Sequence, residues 1–215
     1  MIKPIISMLL AIVLGCACNA SRIVSPLEKD EWRIGAALGG PQVSSQRLPL
    51  MSIYTAKGIT EEKSFYSGLQ ILNLGFQSLQ LDAGLLTRLK KHEGVSPEIN
   101  LKTGLNGMMS FRDAAARVYP EMGIITAWKL KKFMPYLGSD LWIDPTYGLT
   151  EFGKGSLLHP SLQTGVRYLG RYFEFGVEAK WINPTRTFII PQQEVRSFLG
   201  IGARGLYFTI AYRML

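Results

Sequence analysis

The feature that most limits the possible folds is a strict two-residue alternation of side-chain character. In YFEFGVEAKW, residues 172–181, apolar side chains from Phe173 to Trp181 alternate with charged residues or glycine. Successive side chains of a β-strand point to opposite faces, so this stretch predicts a strand with one apolar and one polar face. Similar segments of about ten residues recur along the chain, separated by glycine, proline, asparagine and charged residues. The sequence therefore predicts an all-β protein.

Eleven strands are predicted by this pattern. They are Trp32–Gly39, Leu50–Lys57, Lys63–Leu74, Ser78–Lys90, Glu98–Phe111, Met122–Lys131, Pro135–Ile143, Leu162–Leu169, Tyr172–Ile182, Ser197–Arg204 and Leu206–Leu215, with tight turns at Lys132-Phe133, Gly170-Arg171 and Arg204-Gly205. The best candidate helix is the short stretch Arg112–Val118. A membrane barrel with both ends on one side needs an even number of strands. We therefore predict a single antiparallel up-and-down β-barrel of eight to twelve strands, with ten preferred.

The two faces of the predicted strands differ in charge. Over the five clearest strands, the face that contains Phe173, Phe175 and Trp181 has no charged residue. A charge at a lipid-facing position of a membrane barrel costs about 2–4 kcal/mol near the midplane, so a bilayer would keep one face free of charge. A soluble lipocalin-like barrel would show the same alternation with the faces reversed, its apolar side chains lining a cavity for a lipid or another apolar ligand. The opposite face contains eight charged residues: Asp82, Arg88, Lys102, Arg167, Glu174, Glu178, Lys180 and Arg213.

Glycine favours the membrane orientation. Six glycines share the charged face, namely Gly84, Gly104, Gly165, Gly176, Gly200 and Gly202. Glycine weakens a strand on a solvated surface, whereas in a crowded barrel interior it makes room for long neighbours. Because buried charges need partners of opposite sign, the face is expected to form a network inside a lumen too congested to conduct. The predicted members of this barrel-interior charge network are Asp82, Lys102, Arg167, Glu174, Glu178 and Lys180.

The last segment, LYFTIAYRML, reaches the terminus of the chain. Together with the alternation, it resembles bacterial outer-membrane β-barrels, whose final strand usually ends in an aromatic residue read by the insertion machinery; here the last residue is Leu215. The resemblance covers roughly residues 32–215. It implies a place in the Gram-negative cell envelope, with outer-membrane lipid, lipopolysaccharide and the barrel-assembly machinery as partners. Loops 144–161 and 183–196 would then be outer contact surfaces for an unknown envelope protein.

The N-terminus reads MIKPIISMLLAIVLGCAC, in which Lys3 precedes an apolar run from Ile5 to Leu14. This is the layout of a secretory signal, and the run is shorter than the roughly 20 residues of a transmembrane helix. Val13-Leu14-Gly15-Cys16 resembles the bacterial lipobox, in which the cysteine is acylated, for example with palmitate, and becomes the first mature residue. The resemblance implies a signal peptide at residues 1–15, a lipidated N-terminus and tether at residues 16–30, and a barrel domain at residues 31–215. The alternative is an ordinary signal peptide with an incidental cysteine.

Composition excludes several functions. Both cysteines lie in the N-terminal segment, so neither a disulfide scaffold nor a cysteine-based site is available to the barrel. The formal charge of +8 fits a solvated basic surface or lipid A phosphates, since nucleic acid is an unexpected partner for an exported protein. The sequence has two histidines, His92 and His159, and no metal-ligand spacing. No cofactor, metal or nucleic acid is predicted.

One group of residues resembles a catalytic site. His159 and Ser161 would share a strand face, and Glu174 or Glu178 lies on the next strand, an arrangement similar to that of outer-membrane lipid A deacylases. Those enzymes have asparagine after the serine, where this chain has Leu162, and Pro160 disfavours a central strand. We therefore predict a structural or interaction role without catalysis. A lipid A esterase using His159 and Ser161 is an alternative.

Overall fold

The computed structural model describes residues 20–43, 46–47, 50–71, 74, 77–111, 115–145, 157–182, 188–190, 193–195 and 203–214. These ranges contain thirteen strands: β1 (Trp32–Val43), β2 (Gln46–Arg47), β3 (Leu50–Thr60), β4 (Lys63–Gln70), β5 (Ser78–Lys90), β6 (Glu98–Ser110), β7 (Ala115–Ala127), β8 (Phe133–Ile143), β9 (Leu158–Leu169), β10 (Phe173–Ile182), β11 (Phe188–Ile190), β12 (Gln193–Val195) and β13 (Ala203–Met214). Within these ranges, no helix has both the length and the apolar character needed to cross a membrane.

Ten of these strands form a closed antiparallel barrel, as predicted. From β3 to β10 each strand pairs with the next one along the chain, β1 pairs with β3, and β13 follows β10 in the sheet. The barrel closes between β1 and β13, over eleven residue pairs from Trp32↔Met214 to Gln42↔Arg204. The short β2 pairs with the end of β1, while β11 and β12 form a separate hairpin.

The two ends of the barrel differ in their connections. At one end, called here the turn end, lie Trp32, Met214 and the short connections at residues 61–62, 91–97, 128–132 and 170–172. The opposite end is called the loop end. Some predicted features lie outside the described residues: the signal peptide, Cys16, Gly200, Gly202, Leu215 and most of loops 144–161 and 183–196.

The predicted turn at Arg204-Gly205 is wrong. Both residues lie within the continuous strand β13, where Gly205 pairs with Lys180 of β10. A Cβ atom on Gly205 would lie 2.7 Å from the ring of Tyr207, so this glycine makes room for a neighbouring side chain. In the sequence, Gly205 suggested a turn, whereas in the structure it allows the ring of Tyr207 to approach the backbone of a continuous strand.

The candidate helix Arg112–Val118 is a strand in its described part. Residues 115–118 begin β7 and pair with β6, from Ser110↔Ala115 to Gly107↔Val118. Alanine is a good helix former, but propensity is a weak signal that pairing with a neighbouring strand overrides.

The apolar faces of the strands point out of the barrel. Phe173 and Phe175 are 46% and 47% exposed, whereas Glu174 and Glu178 on the other face of the same strand are 2% and 1% exposed. All ten barrel strands contribute large exposed apolar side chains. Monomeric soluble proteins rarely expose continuous apolar surface on this scale. The orientation is the opposite of the one that a lipocalin-like carrier requires.

Inward-facing glycines make room for tyrosine rings as well as for charged side chains. A Cβ atom would lie 2.4 Å from the Tyr66 hydroxyl if added to Gly84, and 2.5 Å from the Tyr136 hydroxyl if added to Gly165. At Gly176 it would lie 2.6 Å from Cδ of Arg167, which is the kind of neighbour that the sequence predicts. The interior is therefore filled by large side chains that cross the lumen.

Candidate functional site in the barrel lumen

Residues 20–31, called here the lumen segment, run inside the barrel. Three hydrogen bonds mark its path from the turn end inward. Leu27 bonds to Ser64 near the start of β4, and Val24 bonds to Asn100 near the start of β6. Ser21 bonds to Glu178 in the middle of β10. The sequence predicts a tether between lipid and barrel here, whereas the structure places this part of the chain in the lumen. Nine of its residues are buried, namely Ala20, Ser21, Arg22, Ile23, Val24, Ser25, Pro26, Leu27 and Glu31.

Near the turn end, apolar side chains of the lumen segment pack against apolar side chains of the barrel wall in one cluster. Ile23, Val24 and Leu27 supply the segment's share of this cluster. Here several inward-facing strand positions are apolar, such as Leu86, Ile125 and Ala127, whereas charged positions are more frequent farther inside. Burial of a leucine- or isoleucine-sized side chain stabilises a fold by about 1.5–3 kcal/mol. The barrel's share consists of Ala56, Tyr66, Leu86, Ile125, Ala127, Met134 and Tyr136.

Barrel side chains also bond to the backbone of the segment. The amide of Leu27 donates to Oγ of Ser64 at 2.8 Å, and Nδ2 of Asn100 donates to the carbonyl of Val24 at 2.9 Å. The segment is not a strand of the sheet, and buried backbone groups still require partners. Inward-facing polar side chains provide them.

Arg22 joins the segment to the barrel wall through charge. Its Nε and Nη2 atoms donate to the two carboxylate oxygens of Asp82 at 3.0 and 2.6 Å, and Nη1 donates to Oγ of Ser52 at 2.5 Å. Arg22 and Asp82 are 3% and 4% exposed. The guanidinium also lies 5.6 Å from the ring centroid of Tyr54. This is a buried, bidentate ion pair, the geometry in which arginine binds carboxylates most strongly.

The deepest described part of the segment meets a second charged group. The amide of Ser21 lies 3.1 Å from both carboxylate oxygens of Glu178, which also accepts a 2.8 Å bond from the Tyr136 hydroxyl. Nη2 of Arg167 donates to the Ser21 carbonyl at 2.5 Å, and Nη1 donates to Oγ1 of Thr209. A single residue of the segment is thus held through both of its backbone polar groups.

A clamp fixes the segment where it enters the barrel. Glu31 accepts bonds from Nε of Arg33 and Nε of Arg213, each at 2.9 Å. Burial would raise the pKa of Glu31, but the two guanidinium groups outweigh burial and hold this pKa below its ordinary value. The amide of Asp30 donates to the carbonyl of Gly58 at 3.0 Å, and that of Gly58 donates to the Glu31 carbonyl at 2.9 Å. The chain is therefore bonded to the turn end before β1 begins.

The structure places all six predicted members of the charge network in the lumen. Asp82, Lys102, Arg167, Glu174, Glu178 and Lys180 are between 1% and 7% exposed. Arg167 and Glu174 approach to 3.7 Å, as their positions on neighbouring strands predict. The other ion pairs of these six residues are made with residues outside the predicted network.

Asp140 and Glu121 complete the network on the β6–β10 side. Nζ of Lys180 lies 2.9 Å from Asp140, and Nζ of Lys102 lies 2.5 Å from Glu121 and 3.3 Å from Asp140. Glu174 also pairs with Arg33. Alternation marked the faces of the clearest strands only, so charges on less regular strands were missed. Ile23, Val24 and Leu27 interrupt an otherwise polar stretch, and these apolar residues were a signal that the segment is not a solvated tether.

The catalytic group that resembles a deacylase site is not assembled. His159 and Ser161 lie on β9, and Ser161 is opposite Ile182 at the loop end of β10. Glu178 is four residues farther along β10, or about 13 Å at 3.3–3.4 Å per residue. It is bonded to Ser21 and Tyr136 instead. In the described part of the chain, no group of three or more His, Cys, Asp or Glu residues is arranged to hold a metal ion.

Comparisons with known proteins support the fold alone. No protein-family model and no curated protein matches the chain. Among solved structures, an outer-membrane channel from Pseudomonas putida F1 is similar over 91% of this chain and 98% of its own, with 10% identity and a TM-score of 0.50. This chain is a closed barrel of the same general kind. The translocator domain of the autotransporter NalP from Neisseria meningitidis matches 89% of this chain and 91% of its own, with 8% identity and a TM-score of 0.47. The transport unit of the autotransporter AIDA-I from Escherichia coli matches 96% and 97%, with 10% identity and a TM-score of 0.45.

Proposed function

We propose that the protein is an integral β-barrel of the bacterial outer membrane with a structural or interaction role. The observation that carries this proposal is the orientation of the barrel: apolar side chains cover its outside and paired charges fill its inside. Only a closed barrel lets strands cross a bilayer with every backbone group bonded, because it has no free edge. A soluble protein would gain nothing from this arrangement.

The filled lumen supports an interaction role over transport. The lumen segment occupies the interior from the turn end to the middle of the barrel, and charged side chains cross the space beside it. A permeating solute would have to displace buried ion pairs such as Arg22–Asp82. The surfaces left for partners are the outer loops around residues 144–161 and 183–196 and the two rims.

Lipidation at Cys16 is part of the proposal and rests on the lipobox resemblance. Ala20 lies inside the barrel, and four residues span at most about 14 Å. An acyl chain on Cys16 would therefore be attached within about 14 Å of Ala20. In this arrangement the lipid anchor is connected to the barrel through the lumen segment.

Membrane fractionation combined with heat-modifiability tests the barrel, and labelling with a palmitate analogue tests the lipid. We expect the protein in the outer-membrane fraction, with faster gel migration before boiling than after it. Label should be incorporated by the wild type and by Cys18→Ser, but not by Cys16→Ser. Recovery in the soluble fraction without a migration shift would refute the membrane barrel, while unchanged labelling of Cys16→Ser would refute lipidation alone.

A further inference from the structure

The exposed cations at the turn end are unevenly distributed around the rim. On the β3–β4 side, the exposed Lys63 and the half-buried Lys57 are balanced by the exposed Glu61 and Glu62. On the β5–β10 side, the basic residues of the turns face a single exposed acid, Glu93. The cations on this side, called here the basic rim, are Lys90, Lys91, Lys129, Lys131, Lys132 and Arg171.

A direct contact between two turns assembles the basic rim. Nε1 of Trp128, after β7, donates to the carbonyl of Val95, between β5 and β6, at 3.2 Å. The β5–β6 and β7–β8 turns are adjacent because β6 pairs with β7. Lys129 is the rim member with a described acidic partner, Glu98 at 3.6 Å, and its side chain is still 45% exposed. Among the described residues, the other four lysines of the rim and Arg171 have no acidic partner within ion-pair distance.

The basic rim lies directly against the apolar exterior. Lys131 and Lys132 form a two-residue turn between Leu130 and Phe133, whose backbones bond to each other at 2.8 and 2.9 Å. Leu130 and Phe133 are each 54% exposed, and Val95 is 93% exposed. If the apolar exterior contacts acyl chains, these lysines are at the level of the headgroups of the same leaflet. Cations at the level of the headgroups lie close to the phosphate oxygens of the lipids.

We propose that the basic rim binds the phosphate headgroups of anionic phospholipids in the leaflet at the turn end. The inference rests on the proposed function, because it requires the barrel to be in a bilayer. It differs from the expectation drawn from total charge, which was attraction to lipid A. The described excess of cations lies at the turn end, on the side opposite to the long loops.

A fluorescent label at position 95 tests the proposal. The full chain in a Cys16→Ser/Cys18→Ser background receives Val95→Cys, is labelled with bimane and is refolded into phosphatidylcholine vesicles. Quenching by brominated phosphatidylglycerol is compared with quenching by brominated phosphatidylcholine. The matched site is Ile59→Cys in the charge-balanced β3–β4 region, where Ile59 is 47% exposed.

Each lysine near an anionic surface contributes roughly fivefold in affinity. We expect the anionic lipid to be preferred at position 95 and not at position 59, with the preference lost in high salt. Lys131→Gln/Lys132→Gln should lower the preference for the anionic lipid at position 95 by between about fivefold and 25-fold. Lys57→Gln/Lys63→Gln should leave this preference unchanged.

Equal quenching by the two lipids at position 95, or equal preference at both positions, would overturn the inference. A label that responds to soluble polyglutamate and not to phosphatidylglycerol would assign the rim to an acidic macromolecule, and would also overturn it. Heat-modifiability separates these results from failure of the proposed function. A barrel that never enters the vesicles refutes both, whereas an inserted barrel without lipid preference refutes the inference alone.

Discussion

Replacement of Arg22 by methionine tests whether the lumen segment is held by charge. The substitution keeps a side chain of similar length but removes the guanidinium, so Asp82 loses two hydrogen bonds at a site that is 4% exposed. Removal of one partner from a buried ion pair costs about 3–5 kcal/mol. With 1.4 kcal/mol for each factor of ten, the lower figure increases the undocked population of the segment about 100-fold.

Thiol labelling measures this population. Val24 is 3% exposed, and the chain has two cysteines, Cys16 and Cys18. In a double-serine background, Val24→Cys provides one thiol that reacts only when the segment leaves the lumen. We expect Arg22→Met to accelerate labelling about 100-fold and to raise ion conductance across planar bilayers.

The matched control removes both charges. Arg22→Met/Asp82→Asn leaves no ionised carboxylate at this site, and loss of a complete buried pair is often close to neutral. Labelling of the double variant should return toward the rate of the parent. Labelling of Arg22→Met at the parent rate would show that the ion pair does not hold the segment, and equally fast labelling of the single and double variants would exclude the electrostatic explanation.

Three further predictions concern the wall, the clamp and the exterior. Gly165→Ala should destabilise the refolded barrel by about 1–3 kcal/mol in urea, because its Cβ would lie 2.5 Å from the Tyr136 hydroxyl. Gly107→Ala should have little effect, because its Cβ would lie 3.9 Å from the nearest atom, the carbonyl oxygen of Leu81. The pKa of Glu31 is lower in the folded state, so its contribution to the free energy of unfolding is present above the unfolded pKa near 4.5. This contribution is lost as pH falls through the folded pKa. Glu31→Gln should therefore reduce the loss of stability in acid, measured by unfolding at a series of pH values. Phe175→Arg should lower stability in lipid vesicles by about 2–4 kcal/mol, measured by urea unfolding, with Phe175→Leu as the control.

Each of these predictions has a clear contrary result. Equal effects of the two glycine substitutions would show that the tyrosine ring does not require the space. If the stability of Glu31→Gln depends on pH as that of the parent does, the clamp does not contribute to the loss of stability in acid. An arginine at position 175 that is tolerated as well as leucine would mean that this position does not face hydrocarbon.

The architecture was predictable where the alternation is regular. β10 shows five apolar and four polar positions in strict order from Phe173 to Trp181, and its faces lie as predicted. The even-number rule selected ten strands although eleven segments were counted. The extra segment came from Gly205, because a glycine that accommodates a ring and a glycine that forms a turn have the same local sequence signal.

The lumen was predictable only in part, for a physical reason. Periodicity reports which face a residue occupies, and therefore identified Arg167 and Glu178 as inward-facing. It carries no information about which charges meet across the lumen, so Asp140 was missed as the partner of Lys180. The lumen segment has no strand periodicity, and its role depends on contacts with residues up to 182 positions away, as between Glu31 and Arg213.

The position of the lumen segment constrains the order of assembly. Its entrance is fastened by Glu31, Arg33 and Arg213, and the last of these belongs to the final strand. Insertion after the β1–β13 seam has formed would require that fastening to open and a charged peptide to pass through a space already crossed by side chains. We therefore expect the sheet to close around the lumen segment during folding, so that the segment is enclosed when the β1–β13 seam forms.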